Sequence, residues 1–345
     1  MVSKEYIRWN RIMAGVSLVV SIIIYYATMA RTVSFWDCGE FIAVSHTLGV
    51  PHPPGSPLYL LLGRIFSMVP FNPDVAYRIN VTSVLFSAIA VMLLYLIVVK
   101  VITHWRGEVK NKSDAIIAFG GAMIGALTFA FSDSHWFNAV EAEVYALSTF
   151  FTAIVVWLVL HWSERADKPG NERYILIIAY MIGLATGLHL LNLLALPFIA
   201  LIIYFRKQEF EWKSFSVTVA ITGITFLIIH NGIIKGLPRI AGSFGLISIA
   251  VIIGAVVVGT VWAIQNRHRI SSLALTSVIL ILVGYSTYSL IFIRSNQNPG
   301  IDENDPETIE AAISYLEREQ YGAFFFLPRR YKTLPSKQEV VGMPQ

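Results

Sequence analysis

The sequence is poor in charge and has almost no cysteine. Of 345 residues only 14% are Asp, Glu, Lys or Arg, while 55% are hydrophobic. A soluble domain carries about 25% charged residues, so this chain cannot cover a surface in water with polar groups. That excludes a soluble enzyme, a disordered chain and a soluble repeat scaffold. The single cysteine, Cys38, has no partner for an internal disulfide. Short alternating strands are lacking too: the apolar runs are continuous and exceed the roughly 10-residue segments of an outer-membrane barrel. No basic patch interleaved with aromatics accompanies the net charge of +4, so nucleic acid is not an expected partner. What is left is an all-α integral membrane protein held in a lipid bilayer, with mean hydropathy +0.62.

Nine apolar runs approach the length of a membrane span: 12–30, 79–103, 115–131, 144–162, 174–188, 190–205, 214–234, 243–264 and 271–293. The stretch 174–205 is too long for one span. Basic flanks on both sides predict two short or tilted helices meeting near His189. Pro57–Val69 is apolar but short, and reads as a helix at the outer interface. The first run follows Lys4, Arg8 and Arg11, yet it is longer than a signal-peptide core and reads as a retained helix. Lys and Arg cluster in alternate connections, which puts the N-terminus in the cytoplasm and the tail from Arg294 outside. Seven of the eight tryptophans fall near span ends, as an interfacial belt requires.

Acidic residues are missing from the middle of every run. Proton-coupled carriers place ionisable groups there. Six carboxylates instead fall in outer loops: Asp37, Glu40, Asp74, Asp133, Glu141 and Glu143. Asp37 and Glu40 share a face if the chain is helical there. Asp37 has two compatible readings, a partly dehydrated base at the membrane surface or the N-cap of a D-x-x-E capping box. Pro51-His52-Pro53-Pro54-Gly55 follows. Three prolines give this loop a defined shape around His52, and Gly55 permits a tight turn or close approach. Arg64 and Arg78 have guanidinium forks suited to phosphate oxygens, or they snorkel to head groups. Asp133, His135, Glu141 and Glu143 crowd the second outer loop as an acid cluster or a solvated loop. The run Asn298–Glu310 does not have EF-hand spacing, and no metal site is assigned.

Together these residues resemble the GT-C superfamily of polytopic glycosyltransferases. The similarity is closest to protein O-mannosyltransferases and their bacterial relatives. It rests on Asp37 and Glu40 after the first span with His52-Pro53-Pro54 beyond, on Arg78 to Ser83 opening the second span, and on Glu141 and Glu143 leading to Phe150-Phe151. It covers the first 160 residues well and the rest by span pattern. Family acids often stand adjacent, whereas Cys38 and Gly39 intervene here.

The resemblance implies a catalytic membrane domain over 1–293, with the site in the first outer loop, 31–78. The tail 294–345 then reads as the start of a soluble domain cut short, with a helix near Pro306–Gln320. The implied reaction moves a sugar, mannose by this resemblance, from a polyprenyl-phosphate-linked donor to a Ser or Thr hydroxyl of a protein or peptide, with inversion, on the outer face. Asp37 would act as base and Glu40 would assist it. His52, Arg64 and Arg78 would hold the donor phosphate, and Asp133, His135, Glu141 and Glu143 would form the acceptor side. No cofactor is assigned, and a divalent cation is left open. The resemblance favours a bacterial inner membrane. The competing readings are a lipid-linked-sugar carrier or flippase, which needs access from both sides, and a non-catalytic scaffold.

Overall fold

The computed structural model describes residues 4–322. It is helical throughout, with no named strand among the described residues. Eight helices are long and apolar enough to cross a membrane: α1 (Lys4–Thr28), α4 (Val75–Arg106), α5 (Lys112–Ala130), α7 (Val144–Ser163), α9 (Leu190–Lys207), α10 (Trp212–Phe244), α11 (Leu246–Gln265) and α12 (Arg269–Ser295). Between them lie α2 (Cys38–Thr47), α3 (Pro57–Met68), α6 (Asp133–Ala139) and α8 (Glu172–Thr186), and α13 (Ile309–Glu317) follows α12. All nine expected runs are helical. The ninth, at 174–188, is α8, only 15 residues long. It turns at Gly187–His189 into α9, as the length of 174–205 predicts. α3 has 12 residues, too few to span. Lys235 and Arg239, which fall between the expected runs 214–234 and 243–264, lie inside α10, whose π-helical stretch Ile228–Gly236 carries the helix on to Phe244. The tail helix is shorter than expected, and residues 323–345 of the tail lie outside the described part.

In lipid every backbone polar group needs an internal partner, which continuous helices provide. Exposed Ile247, Val251 and Val258 on α11 are the apolar surface such a helix presents to acyl chains. Some polar side chains inside the bundle pair locally: Ser17 donates to Ala14 and Ser21 to Ser17 at 2.8 Å. Helix ends are capped by sequence. Asp74 accepts from the Ala76 and Tyr77 amides at the start of α4, and Thr308 accepts from Ala311 at the start of α13.

Among the described residues there are three large apolar cores and a small fourth around Ile42, Ala76, Ile79 and Ala142. One joins α1, α4 and α5 around Tyr25, Val84, Ala88 and Ala122. A second joins α7 to α10 with α12 around Val159, Ile178, Ile199 and Ile281. There α8 and α12 touch through glycine: a Cβ on Gly284 would sit 2.4 Å from the Leu184 nitrogen, and one on Gly183 2.5 Å from the Ile281 carbonyl. Lipid supplies no hydrophobic drive between helices, so such close backbone contact is what holds them. The third core positions the site. Phe41, Val44 and Val50 of the first loop and Tyr59 and Leu60 of α3 pack with Leu147, Leu188, Ile291 and Tyr315. It ties the connection after α1 to the start of α7, the α8–α9 turn and the tail.

Candidate functional site

The first and second connections are stitched together before any side chain meets a cavity. Ala30 donates its amide to the Val140 carbonyl at 2.9 Å, and Ser34 donates to Glu141 at 2.6 Å. Asn80 donates to the Ala30 and Thr32 carbonyls, pinning the exit from α1. Asp37 then falls at the N-cap of α2, but its side chain caps nothing. The expected capping box does not form, because Glu40 is engaged elsewhere. The Asp37 side chain is 58% exposed, so the protein itself does not dehydrate it.

Glu40 is bound by His52. The His52 amide donates to Oε1 at 2.6 Å, and the imidazole Nδ1 lies 2.8 Å from Oε2. Burial pushes the Glu40 carboxyl up, but the His52 hydrogen bonds outweigh it and hold the group below its ordinary 4.5. The same hydrogen bond raises His52 above 6.5 against the opposing effect of burial, with Asp37 and Glu303 adding to the rise. With Nδ1 occupied, His52 Nε2 faces Asp37 at 4.0 Å. Ligand atoms of Asp37, Glu40 and His52 lie within 4.8 Å of one another, the spacing a cation would need. Both Glu40 oxygens are already taken by His52.

The proline loop gets its shape from the tail. Gly55 has φ +91°, and a Cβ there would lie 2.6 Å from the Tyr315 hydroxyl. Tyr315 is buried and donates to the Pro51 carbonyl at 2.6 Å. Val50 and Asp302 form a parallel bridge. Arg294 Nε donates to the Leu48 carbonyl at 2.6 Å at the end of α2.

A cavity of about 660 Å³ opens beside Asp37 and His52. Glu143, Tyr145, His189, His230 and Arg318 also line it. Glu143 caps α7 by accepting from Val144 at 3.0 Å. Burial pushes it up to about 7, with the Asp37 and Glu141 charges adding. Glu141 lies behind, 2% exposed. It takes the Ser34 hydroxyl, and its charge acts on the buried Cys38 thiol. Burial, then Glu141 and Glu143, push that thiol up, so it stays protonated.

The structure therefore brings Asp37, Glu40, His52, Glu141 and Glu143 together, and separates the other expected residues. Arg64, on α3, gives its guanidinium to the His46 carbonyl at the end of α2. Arg78, in the first turn of α4, reaches the Val69 carbonyl at 3.5 Å. Asp133 is exposed on α6. His135 is buried beside Phe129 and Tyr25, and burial lowers it to about 4, making it a neutral core imidazole. None of these four lines the cavity. His52 sits with the acids, away from any phosphate cradle of arginines. Sequence reading missed Arg318, Tyr145 and His230 as cavity residues. A histidine in an otherwise apolar run was the available signal for His230, and no local signal marks Arg318.

An all-helical polytopic membrane protein with a carboxylate–imidazole cavity at one end of its bundle is the class this architecture defines. The family model described as the protein O-mannosyl-transferase TMEM260 N-terminal domain matches residues 37–212. The chain belongs to that family. It is 34% identical over 206 residues to the protein O-mannosyl-transferase tmem260 of Dictyostelium discoideum, covering 55% of this chain and 23% of that protein. It is 31% identical over 163 residues to the protein O-mannosyl-transferase TMEM260 of Mus musculus, covering 47% of this chain and 21% of that protein. The chain thus spans under a quarter of the length of these relatives. No solved structure matches it.

Proposed function

We propose that this chain is the membrane domain of a protein O-mannosyltransferase, with its site in the cavity at Asp37. The observation that carries this reading is the Asp37 carboxylate, unused by any cap and facing a 660 Å³ cavity beside an imidazole that Glu40 holds in place. Family membership supports the reaction class.

The donor is a polyprenyl-phosphate-linked mannose. In support, an apolar groove of about 370 Å³ between α9 and α10 shares Leu194 and Phe226 with the cavity. A lipid chain in that groove leaves the sugar phosphate at the polar end. A Ser or Thr hydroxyl of the acceptor protein attacks the anomeric carbon and gives its proton to Asp37. The bond from that carbon to the phosphate oxygen breaks, and its electron pair leaves with the lipid phosphate. A single displacement inverts the configuration. His52 steadies the Asp37 carboxylate, and Glu143 lies at the cavity wall on the acceptor side. On this reading the cavity faces away from the cytoplasm, as the alternation of basic connections along the sequence favours.

The test is transfer of radiolabelled mannose from polyprenyl-phosphate mannose to a Ser/Thr peptide by the full-length protein in detergent. Asp37→Asn is expected to fold normally and to lose transfer. Near-normal transfer by that variant overturns the assignment.

A further inference from the structure

We infer that Arg318 is a donor-binding residue whose guanidinium, together with the Nε2–H of His189, receives the phosphodiester of the lipid-linked sugar. This rests on the transferase reading above and assigns a residue far outside the stretch 37–212 that the family model matches.

Among the described residues Arg318 is the one Lys or Arg lining the cavity. No carboxylate lies within ion-pair distance of it among the described residues. Its contact is with the Tyr321 ring, 5.0 Å from the guanidinium carbon. Its backbone is held firmly. Arg318 is the C-cap of α13 in the left-handed region, φ 59°, and its amide donates to the Tyr315 carbonyl at 3.1 Å. A non-glycine residue there is uncommon and needs surrounding structure to hold it. Tyr315 is bonded to Pro51, and Glu317 is bonded to Arg239 of α10 at 2.5 Å. Helix α13 thus sets Arg318 into the cavity wall from two directions.

His189 completes the cradle. Its Nδ1 accepts from the Leu191 amide at 3.3 Å, which leaves the ring proton on Nε2. Burial and then the Arg318 charge lower His189, so the ring is a neutral donor. His189, Asp37 and His52 line the cavity, which shares Leu194 and Phe226 with the apolar groove. A lipid chain in the groove would bring its phosphate to His189 and Arg318. A phosphodiester carries one negative charge, and the departing monoester gains a second. A fixed guanidinium fork is stronger on the second than on the first.

The experiment uses the full-length protein in detergent and three probes: sugar-free polyprenyl phosphate, polyprenol and inorganic phosphate. Arg318→Gln is expected to raise the donor KM and the inhibition constant of polyprenyl phosphate about tenfold, with the peptide KM unchanged. Arg318→Lys is expected to fall between Gln and wild type. In the unaltered protein, polyprenyl phosphate should protect Arg318 from phenylglyoxal, read by mass spectrometry, while polyprenol and inorganic phosphate should not. This second readout does not depend on how the variants fold. Unchanged inhibition in Arg318→Gln, or labelling of Arg318 undiminished by an inhibiting concentration of polyprenyl phosphate, overturns the inference and leaves the transferase reading standing. Protection by inorganic phosphate alone overturns the lipid assignment. A wild-type protein that neither transfers mannose nor is bound by polyprenyl phosphate brings down the transferase reading itself.

Discussion

Glu40 takes both polar hydrogens that His52 can offer it, the backbone amide on Oε1 and the imidazole Nδ1 on Oε2. The pair ties the first turn of α2 to the proline loop. Glu40 lies below its ordinary 4.5 and His52 above its ordinary 6.5. The stability owed to lowered Glu40 is present above 4.5 and is lost as pH falls through its folded value. That owed to raised His52 is present below 6.5 and is lost as pH rises through its folded value. Glu40→Gln is therefore expected to cost most between about pH 5 and 6.5, on the order of 1–2 kcal/mol for this partly exposed pair. Thermal unfolding of both proteins across pH checks it, and the gap should narrow on either side.

Glu143 predicts the opposite trend. An acid raised to about 7 is disfavoured in its charged form in the folded state. Stability falls as pH climbs from about 4.5 to 7, where the unfolded chain ionises first. Glu143→Gln keeps an acceptor for the Val144 amide and removes the charge. Its unfolding midpoint should exceed that of wild type at pH 8 and match it at pH 4.

The tail and the proline loop should be energetically one unit. Gly55→Ala forces a side chain into φ +91° and against the Tyr315 hydroxyl. A loss of about 2–3 kcal/mol is expected. Tyr315→Phe removes only the hydroxyl and should cost about 1 kcal/mol. Unfolding in detergent measures both, and transfer activity should fall further in Gly55→Ala than in Tyr315→Phe.

The crossing of α8 and α12 should tolerate no Cβ. Gly284→Val is expected to lower the unfolding midpoint sharply, since the new atoms would meet Gly183 and Leu184 backbone. Gly254→Val, on α11 with nothing within 4 Å, is the matched control and should leave the midpoint nearly unchanged.

Chelation should leave transfer intact. With both Glu40 oxygens on His52, a cation would find only Asp37 and His52 Nε2 as free ligands, fewer than the six or so oxygens a hard divalent ion gathers. Initial rates measured with and without a strong chelator are expected to agree. A collapse restored by one divalent ion would show a metal-dependent site.

The sequence by itself determined that the chain is helical and where most of its spans lie. Runs of apolar residues, and the cost of an unpaired amide in lipid, leave no other structure. It also marked Asp37, His52 and the rigid proline loop, because those signals are local. Tertiary structure decided where the long side chains go. Arg64 and Arg78 were equally good phosphate forks in sequence, yet packing turns each onto a nearby backbone carbonyl. Glu141 and Glu143 are two residues apart, but one is buried against Ser34 and Cys38 and the other faces the cavity. Arg318 reaches that cavity because Tyr315 finds the Pro51 carbonyl across most of the chain. Periodicity encodes which face of a helix is apolar. Only the packed bundle decides which distant residue completes a site.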